Sequence, residues 1–308
     1  MILPKYRAQV DLLLNILPHV AKEKSMALKG GTAINLFVRD MPRLSVDIDL
    51  TYLNWEDDRA TALQNITDAL DRIAERIKAA IPEISITRIP FGQGQDAKLN
   101  CQTKQAHVKI EVNTTTRGNI FPVRMMQVSE VVQNDFQKFA AIQIVSHGEL
   151  FGGKICAALD RQHPRDLFDV YHLLMNEGIS EEIKLGFITF LLSHARPMGE
   201  LIRPHLLGQH EAFENQFAGM TATPFFYATY EAVRERLIAD IFQSLTDDDR
   251  KFLLSFKKGE PLWNLIAIDN LQHLPAVKWK LMNIQNLLKN NPSKHAEMLK
   301  ALEEKLRY

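Results

Sequence analysis

The stretch from Leu28 to Leu53, LKGGTAINLFVRDMPRLSVDIDLTYL, constrains the fold more than any other part of this chain. Residues 26–28 read as a short apolar strand that Gly30-Gly31 breaks. A short helix over residues 32–37 follows. Residues 44–53 then alternate, which predicts a strand. Side chains two apart share a face of a strand, so Asp47 and Asp49 point the same way. Ser45 and Arg43 join them if the strand starts that early, while Leu44, Val46, Ile48 and Leu50 form an apolar opposite face. Paired carboxylate oxygens suit Mg²⁺, which takes oxygen ligands and keeps places for waters and substrate phosphates. Gly30 and Gly31 let backbone approach a ligand closely. Amides opening a helix attract phosphate, and the Thr32 hydroxyl can add one more hydrogen bond. A lone Asp-x-Asp is more often a solvated sheet face, and a lone Gly-Gly is more often a plain turn. Their succession within one short segment is the stronger signal.

The remaining chain of 308 residues is organised around this segment. Residues 5–17 carry Val10, Leu13, Leu14 and Leu17 on one side of a helix. Residues 56–80 predict a long helix from Leu63, Ile66, Leu70, Ile73 and Ile77, ended by Pro82. Strands are expected at 84–89, 98–103, 107–114, 123–127 and 141–145, with a turn at 91–96. Beyond residue 147 the pattern is helical, with helices at 149–162, 166–177, 181–193, 226–245, 247–257, 276–289 and 293–306. Strands first and helices afterwards predict an α+β part over residues 1–145 and a helical part over 146–308.

Lys+Arg and Asp+Glu both number 37, so net charge points to no nucleic-acid partner by itself. The two cysteines, Cys101 and Cys156, form no CxxC pair and imply no disulfide framework, which suits a reducing, cytoplasmic setting. No apolar run reaches the roughly 20 residues of a spanning helix, so no membrane is expected. The ten histidines lack metal-ligand spacing, which argues against zinc.

The Gly-Gly-Thr turn and the Asp-x-Asp strand, with fourteen residues between Thr32 and Asp47, resemble the signature of the nucleotidyltransferase superfamily. KGGTAINLF…RLSVDIDL is similar in particular to the AbiEii/AbiGii toxin family of type IV toxin–antitoxin and phage-abortive systems, whose core the MenT toxins share. The resemblance runs from about residue 25 to 290. It implies a nucleotidyltransferase-like mixed sheet with flanking helices, followed by a helical domain completing the nucleotide site. It implies transfer of a nucleoside monophosphate from a nucleoside triphosphate, with Mg²⁺ at Asp47 and Asp49. Gly30, Gly31, Thr32, Arg43 and Ser45 would line the nucleotide.

A later acid completes such sites, and Glu111 on the strand HVKIEVN is the candidate, as metal ligand or base. Its alternative is a cross-strand charge pair. In ELFGGKICAALDRQHPRDLFDVYHLL, the family pattern puts Lys154 on the triphosphate. Asp166 or Asp169 would orient it or take part in acid–base chemistry, although Asp166 is also a plausible macrodipole partner in a first helical turn. The resemblance further implies an RNA acceptor, such as the tRNA 3′ end, and a cognate antitoxin. Trp263, Lys278, Trp279 and Lys280 mix aromatics with cations in a way that suits RNA, or else the tryptophans belong to a helical core. Three rivals remain: a small-molecule nucleotidyltransferase, a non-catalytic nucleotide-binding regulator, and a metal nuclease. The nuclease needs an acid-x-Lys order, and Lys109-x-Glu111 reverses it.

Overall fold

The computed structural model describes residues 4–89, 97–221 and 223–307; the turn expected at 91–96 lies outside them. The chain divides into two compact units, Met1–Ser146 with Ala218–Pro224, and His147–Phe217 with Phe225–Tyr308.

The first unit runs α1 (Pro4–Val20), β1 (Met26–Lys29), α2 (Gly30–Ala33), a π-helical turn (Ile34–Val38), β2 (Asp47–Tyr52), α3 (Arg59–Ala80), β3 (Ser85–Ile89), β4 (Ala97–Gln102), β5 (His107–Asn113), β6 (Arg124–Gln127), α4 (Glu130–Phe136) and β7 (Ala141–Ile144). The strands form one mixed sheet in the order β3-β4-β5-β2-β1-β7-β6. β1 with β7 and β2 with β5 are parallel pairs. Ile48, Leu50, Leu99, Ile110 and Val112 are fully buried from the sheet, and α3 buries Ile66, Ile73 and Ile77. α3 starts at Arg59 rather than at residue 56, because the Asp58 side chain caps it by accepting from the Thr61 amide. β2 starts at Asp47, three residues later than its alternation predicts. The preceding residues are held elsewhere: Arg43 bridges to Thr221, and the Leu44 amide donates to the Met220 carbonyl. α4 was not expected; it spans only seven residues, too few to show a period.

The second unit contains α5 (His147–Arg161), α6 (Pro164–Asn176), α7 (Glu181–Ser193), α8 (Met198–Ile202), α9 (His210–Gln216), α10 (Tyr227–Ser244), α11 (Asp247–Lys258), α12 (Pro275–Asn290) and α13 (Pro292–Leu306). α8 and α9 are again too short for a periodic signal. α5 and α7 meet backbone to backbone through glycines. A Cβ on Gly186 would lie 2.1 Å from the Gly148 oxygen, and one on Gly152 would lie 2.3 Å from the Gly186 carbonyl carbon. α11 opens with a capping box between Thr246 and Asp249. Among the described residues no helix is long and apolar enough to cross a membrane.

Candidate active site

The site in the first unit is built where β1 turns into α2. Gly30 sits at φ +76°, a left-handed conformation natural to glycine. A Cβ there would lie 2.7 Å from Asp49 Oδ2. At Gly31 a Cβ would lie 2.7 Å from Ser45 Oγ and 2.8 Å from an Arg43 guanidinium nitrogen. The two glycines therefore pack the turn directly onto the carboxylate strand and its approach. Thr32 is fully buried. Its hydroxyl donates to the Asp47 carbonyl at 2.5 Å and lies 3.2 Å from Ser45 Oγ, whose own hydroxyl can donate back to it, which clamps the turn to β2. Asn35 Nδ2 closes it by donating to the Gly31 carbonyl at 2.9 Å. Arg43 is buried and donates to the Leu44 carbonyl at 2.7 Å. Arg43 and Ser45 thus reach the turn from an irregular segment rather than from a strand.

The sheet register sets the rest of this site. Asp49 pairs with Lys29 on β1 and with Glu111 on β5, and Glu111 pairs with Lys98 on β4. Register partners share a face, so Lys29, Asp49, Glu111 and Lys98 form one charged row over four strands. In the next row Asp47 pairs with Lys109. Lys109 Nζ lies 2.5 Å and Lys98 Nζ 3.1 Å from Glu111 Oε1. Burial would raise the Glu111 pKa, but hydrogen bonds from Lys109 and Lys98 outweigh it and hold the carboxyl below its usual range. Burial would likewise lower Lys109, yet the Glu111 bond and the charges of Asp47, Glu111 and Asp49 hold its ammonium above its ordinary value. Lys109 is therefore a cation that feels all three carboxylates. Asp47 and Asp49 are both partly exposed. Their alternate positions on one strand supply the oxygen donors that fit a divalent ion. Among the described residues no three acidic, histidine or cysteine side chains converge as a closed metal cage.

The second unit holds a separate charge cluster. Lys154 on α5 is buried and lies 2.8 Å from Asp166 Oδ1 and 3.1 Å from Asp169 Oδ2, both on the buried face of α6. Pro164 opens α6, and the His163 ring nitrogen accepts from the Arg165 amide at its N-cap. Residues 166 and 169 then lie one turn apart on the same face. Arg161 Nε approaches Asp166 Oδ2 at 2.6 Å. Burial would raise the Asp166 pKa, but Lys154 and Arg161 hold it well below the usual carboxylate range. Both aspartates thus hold Lys154, where the sequence left a choice between them.

Lys29 and Lys98 were missed by sequence reasoning. The position of Lys29 immediately before Gly30 was an available signal, whereas the partnership of Lys98 with Glu111 depends on strand register. In the C-terminal stretch Trp263 packs on Phe252 and Phe256. Lys280 Nζ donates to the carbonyls of Leu191, His194 and Arg196 at 2.6–3.1 Å. These two residues are half-buried against the helical unit, while Lys278 and Trp279 are exposed.

The family model described as nucleotidyl transferase AbiEii toxin, type IV TA system, matches residues 11–283. No curated protein sequence matches the chain. Among solved structures, the fold is similar to that of MenT4, a nucleotidyltransferase toxin from Mycobacterium tuberculosis H37Rv. The TM-score is 0.62 at 14% identity, over 91% of this chain and 93% of that one. At that identity the likeness speaks for the fold, and the family match spans nearly the whole chain. The glycine turn packed on an aspartate strand accordingly lies in a member of the AbiEii nucleotidyltransferase toxin family of type IV toxin–antitoxin systems.

Proposed function

We propose that this chain transfers a nucleoside monophosphate from a nucleoside triphosphate to an RNA acceptor, the tRNA 3′ end, and that a cognate antitoxin counters it in the cytoplasm. The observation that carries this reading is the contact between the turn and the aspartates. There is no room for a Cβ at Gly30 beside Asp49, nor at Gly31 beside Ser45 and Arg43. A phosphate held by the turn is thereby held next to the carboxylates.

In this reading Asp47 and Asp49 hold Mg²⁺, which supplies positive charge to the phosphate oxygens as pyrophosphate leaves. Gly30 and Gly31 present backbone to the triphosphate, and Arg43 and Ser45 flank it. Thr32 keeps the turn in register with β2 by its bond to the Asp47 carbonyl. Asp166 and Asp169 orient Lys154, the residue that the family pattern assigns to the triphosphate. Positioning and charge neutralisation supply most of the acceleration in such transfers. Glu111, the register partner of Asp49 on β5, is the candidate third acid of the site.

Asp49→Ala tests the reading. The wild-type chain and the variant are each incubated with Mg²⁺, each labelled nucleoside triphosphate and total RNA, and the RNA is resolved on a gel. The expected result is label on tRNA-sized RNA with the wild type and none with Asp49→Ala, together with loss of toxicity on expression. Label confined to small molecules sinks the RNA acceptor. A variant as toxic as wild type sinks the catalytic reading itself.

A further inference from the structure

The helix α12 has two unlike faces. Val277 is fully buried and Ile284 is 7% exposed. Lys280 Nζ is fixed on the carbonyls of Leu191, His194 and Arg196. Residues 277, 280 and 284 follow the helical period, so they hold one face of α12 inward. Trp279, Met282, Asn286 and Lys289 recur with the same period on the opposite face, with Lys278 beside them, and all five are exposed. Trp279 keeps 59% of its surface in solvent and Met282 42%. Tryptophan is highly buried on average, so an indole left this open needs a reason.

The charge on this face selects among partners. The sequence of α12, PAVKWKLMNIQNLLKN, has three lysines and no acid. Among the described residues Lys278 and Lys289 form no ion pair. The neighbouring α13 is mixed, with Glu297 and Glu304 set against Lys294 and Lys300 among its exposed residues. The centre of a protein–protein contact favours tryptophan but is depleted of lysine. A flat ring between unpaired ammonium groups and side-chain amides is instead the composition that binds a single nucleic-acid strand. Bases stack on the ring and phosphates meet the cations.

We infer that the exposed face of α12 is a subsite for single-stranded RNA, in which Trp279 stacks on a base while Lys278 and Lys289 meet phosphates. This rests on the reading of the acceptor as RNA, and it gives the helical unit a contact of its own with that acceptor. Every base has a flat face, so such a subsite adds affinity without choosing a sequence.

The test is binding of a mixed-sequence, single-stranded RNA of about twelve nucleotides to the full-length chain, without nucleoside triphosphate or divalent ion. Anisotropy of a fluorescein-labelled strand reads affinity, and quenching of tryptophan emission by the unlabelled strand reads stacking. Circular dichroism verifies that each variant is folded. Trp279→Leu is expected to weaken binding by about five- to a hundredfold, the loss of one base–aromatic stack. Trp279→Phe keeps a ring, so it should bind within about threefold of wild type yet lose most of the quenching. Lys278→Gln combined with Lys289→Gln should flatten the dependence of log affinity on log salt by about 0.7 per lysine removed. Trp279→Leu binding as tightly as wild type overturns the inference, as does undiminished quenching in Trp279→Phe or an unchanged salt slope in the lysine variant. So does a wild-type chain that binds no oligoribonucleotide, or one that sediments as a dimer which Trp279→Leu makes monomeric, since the face is then a contact between copies. In each of these failures, label transferred to tRNA-sized RNA by the wild type leaves the acceptor reading standing. If the wild type neither binds the strand nor labels RNA, both fail.

Discussion

Replacing Asp166 by Asn tests how the charge cluster of the helical unit holds together. The Asp166 side chain is 1% exposed, and it accepts from Lys154 at 2.8 Å and from Arg161 at 2.6 Å. The two contacts are not equal. Lys154 is buried, and a hydrogen bond to a charged group in such a place contributes about 1.5–3 kcal/mol. Arg161 is 61% exposed, so solvent screens its contact to at most about 1 kcal/mol. Asn is cheaper to bury than a carboxylate, and Lys154 keeps Asp169. The net loss is therefore about 2–3 kcal/mol, below the roughly 3–5 kcal/mol of a buried charge left with no partner. At about 2–4 °C per kcal/mol for a unit of this size, the transition falls by about 4–12 °C. The pH dependence has a definite sign. The folded pKa of Asp166 lies below its unfolded value, so its contribution is fully present above an unfolded pKa of about 3.9 and is lost as pH falls toward the folded value. Differential scanning calorimetry should show a gap between wild type and Asp166→Asn that is constant from pH 8 to 5 and narrows below about pH 4. Arg161→Ala should cost under about 1 kcal/mol at pH 7. Equal transitions at pH 7, or a gap that widens in acid, would refute this account of the cluster.

Gly30→Ala adds left-handed strain of about 1–2 kcal/mol and drives a methyl group onto Asp49 Oδ2. It should lower nucleotide transfer by at least about tenfold while circular dichroism stays native, since reacting groups misplaced by about an ångström lose that much. Gly178→Ala is the control: it has a similar φ of +71° with nothing within 4 Å of the added Cβ, so it should cost a little stability and no activity. In Gly186→Ala the gain in helix propensity, about 1 kcal/mol, is opposed by a Cβ 2.1 Å from the Gly148 oxygen. We expect a lower unfolding midpoint in urea, and a midpoint equal to or above wild type would show that α5 and α7 do not pack through their glycines.

Much of the chain was legible from local pattern alone. α7 was read at its observed limits, and α10 to α13 to within about two residues, because apolar side chains recur with the helical period wherever one face is buried. The alternation of Asp47, Ile48, Asp49 and Leu50 placed both aspartates on one side of β2, since strand geometry has a period of two. The glycine turn was visible because few other residues serve there. The short helices α4, α8 and α9 were not legible, since one or two turns carry no period. The start of β2 was also misread. Leu44 continues the alternation, but its amide bonds to Met220, far along the chain.

What the sequence determined by itself is therefore the order of elements, the faces of the strands and the type of chemistry that Gly30–Thr32 and Asp47–Asp49 can support. Tertiary structure alone decided the partners. Only the parallel pairing of β2 with β5 brings Glu111 beside Asp49, and only the pairing of β5 with β4 lets Lys98 help Lys109 clamp it. Only the packing of α5 on α6 closes Asp166 and Asp169 around Lys154. The physical reason is one of range. Backbone periodicity and turn preference act over a few residues and are written in local composition. Strand register and burial couple residues tens of positions apart, and they settle which charges meet.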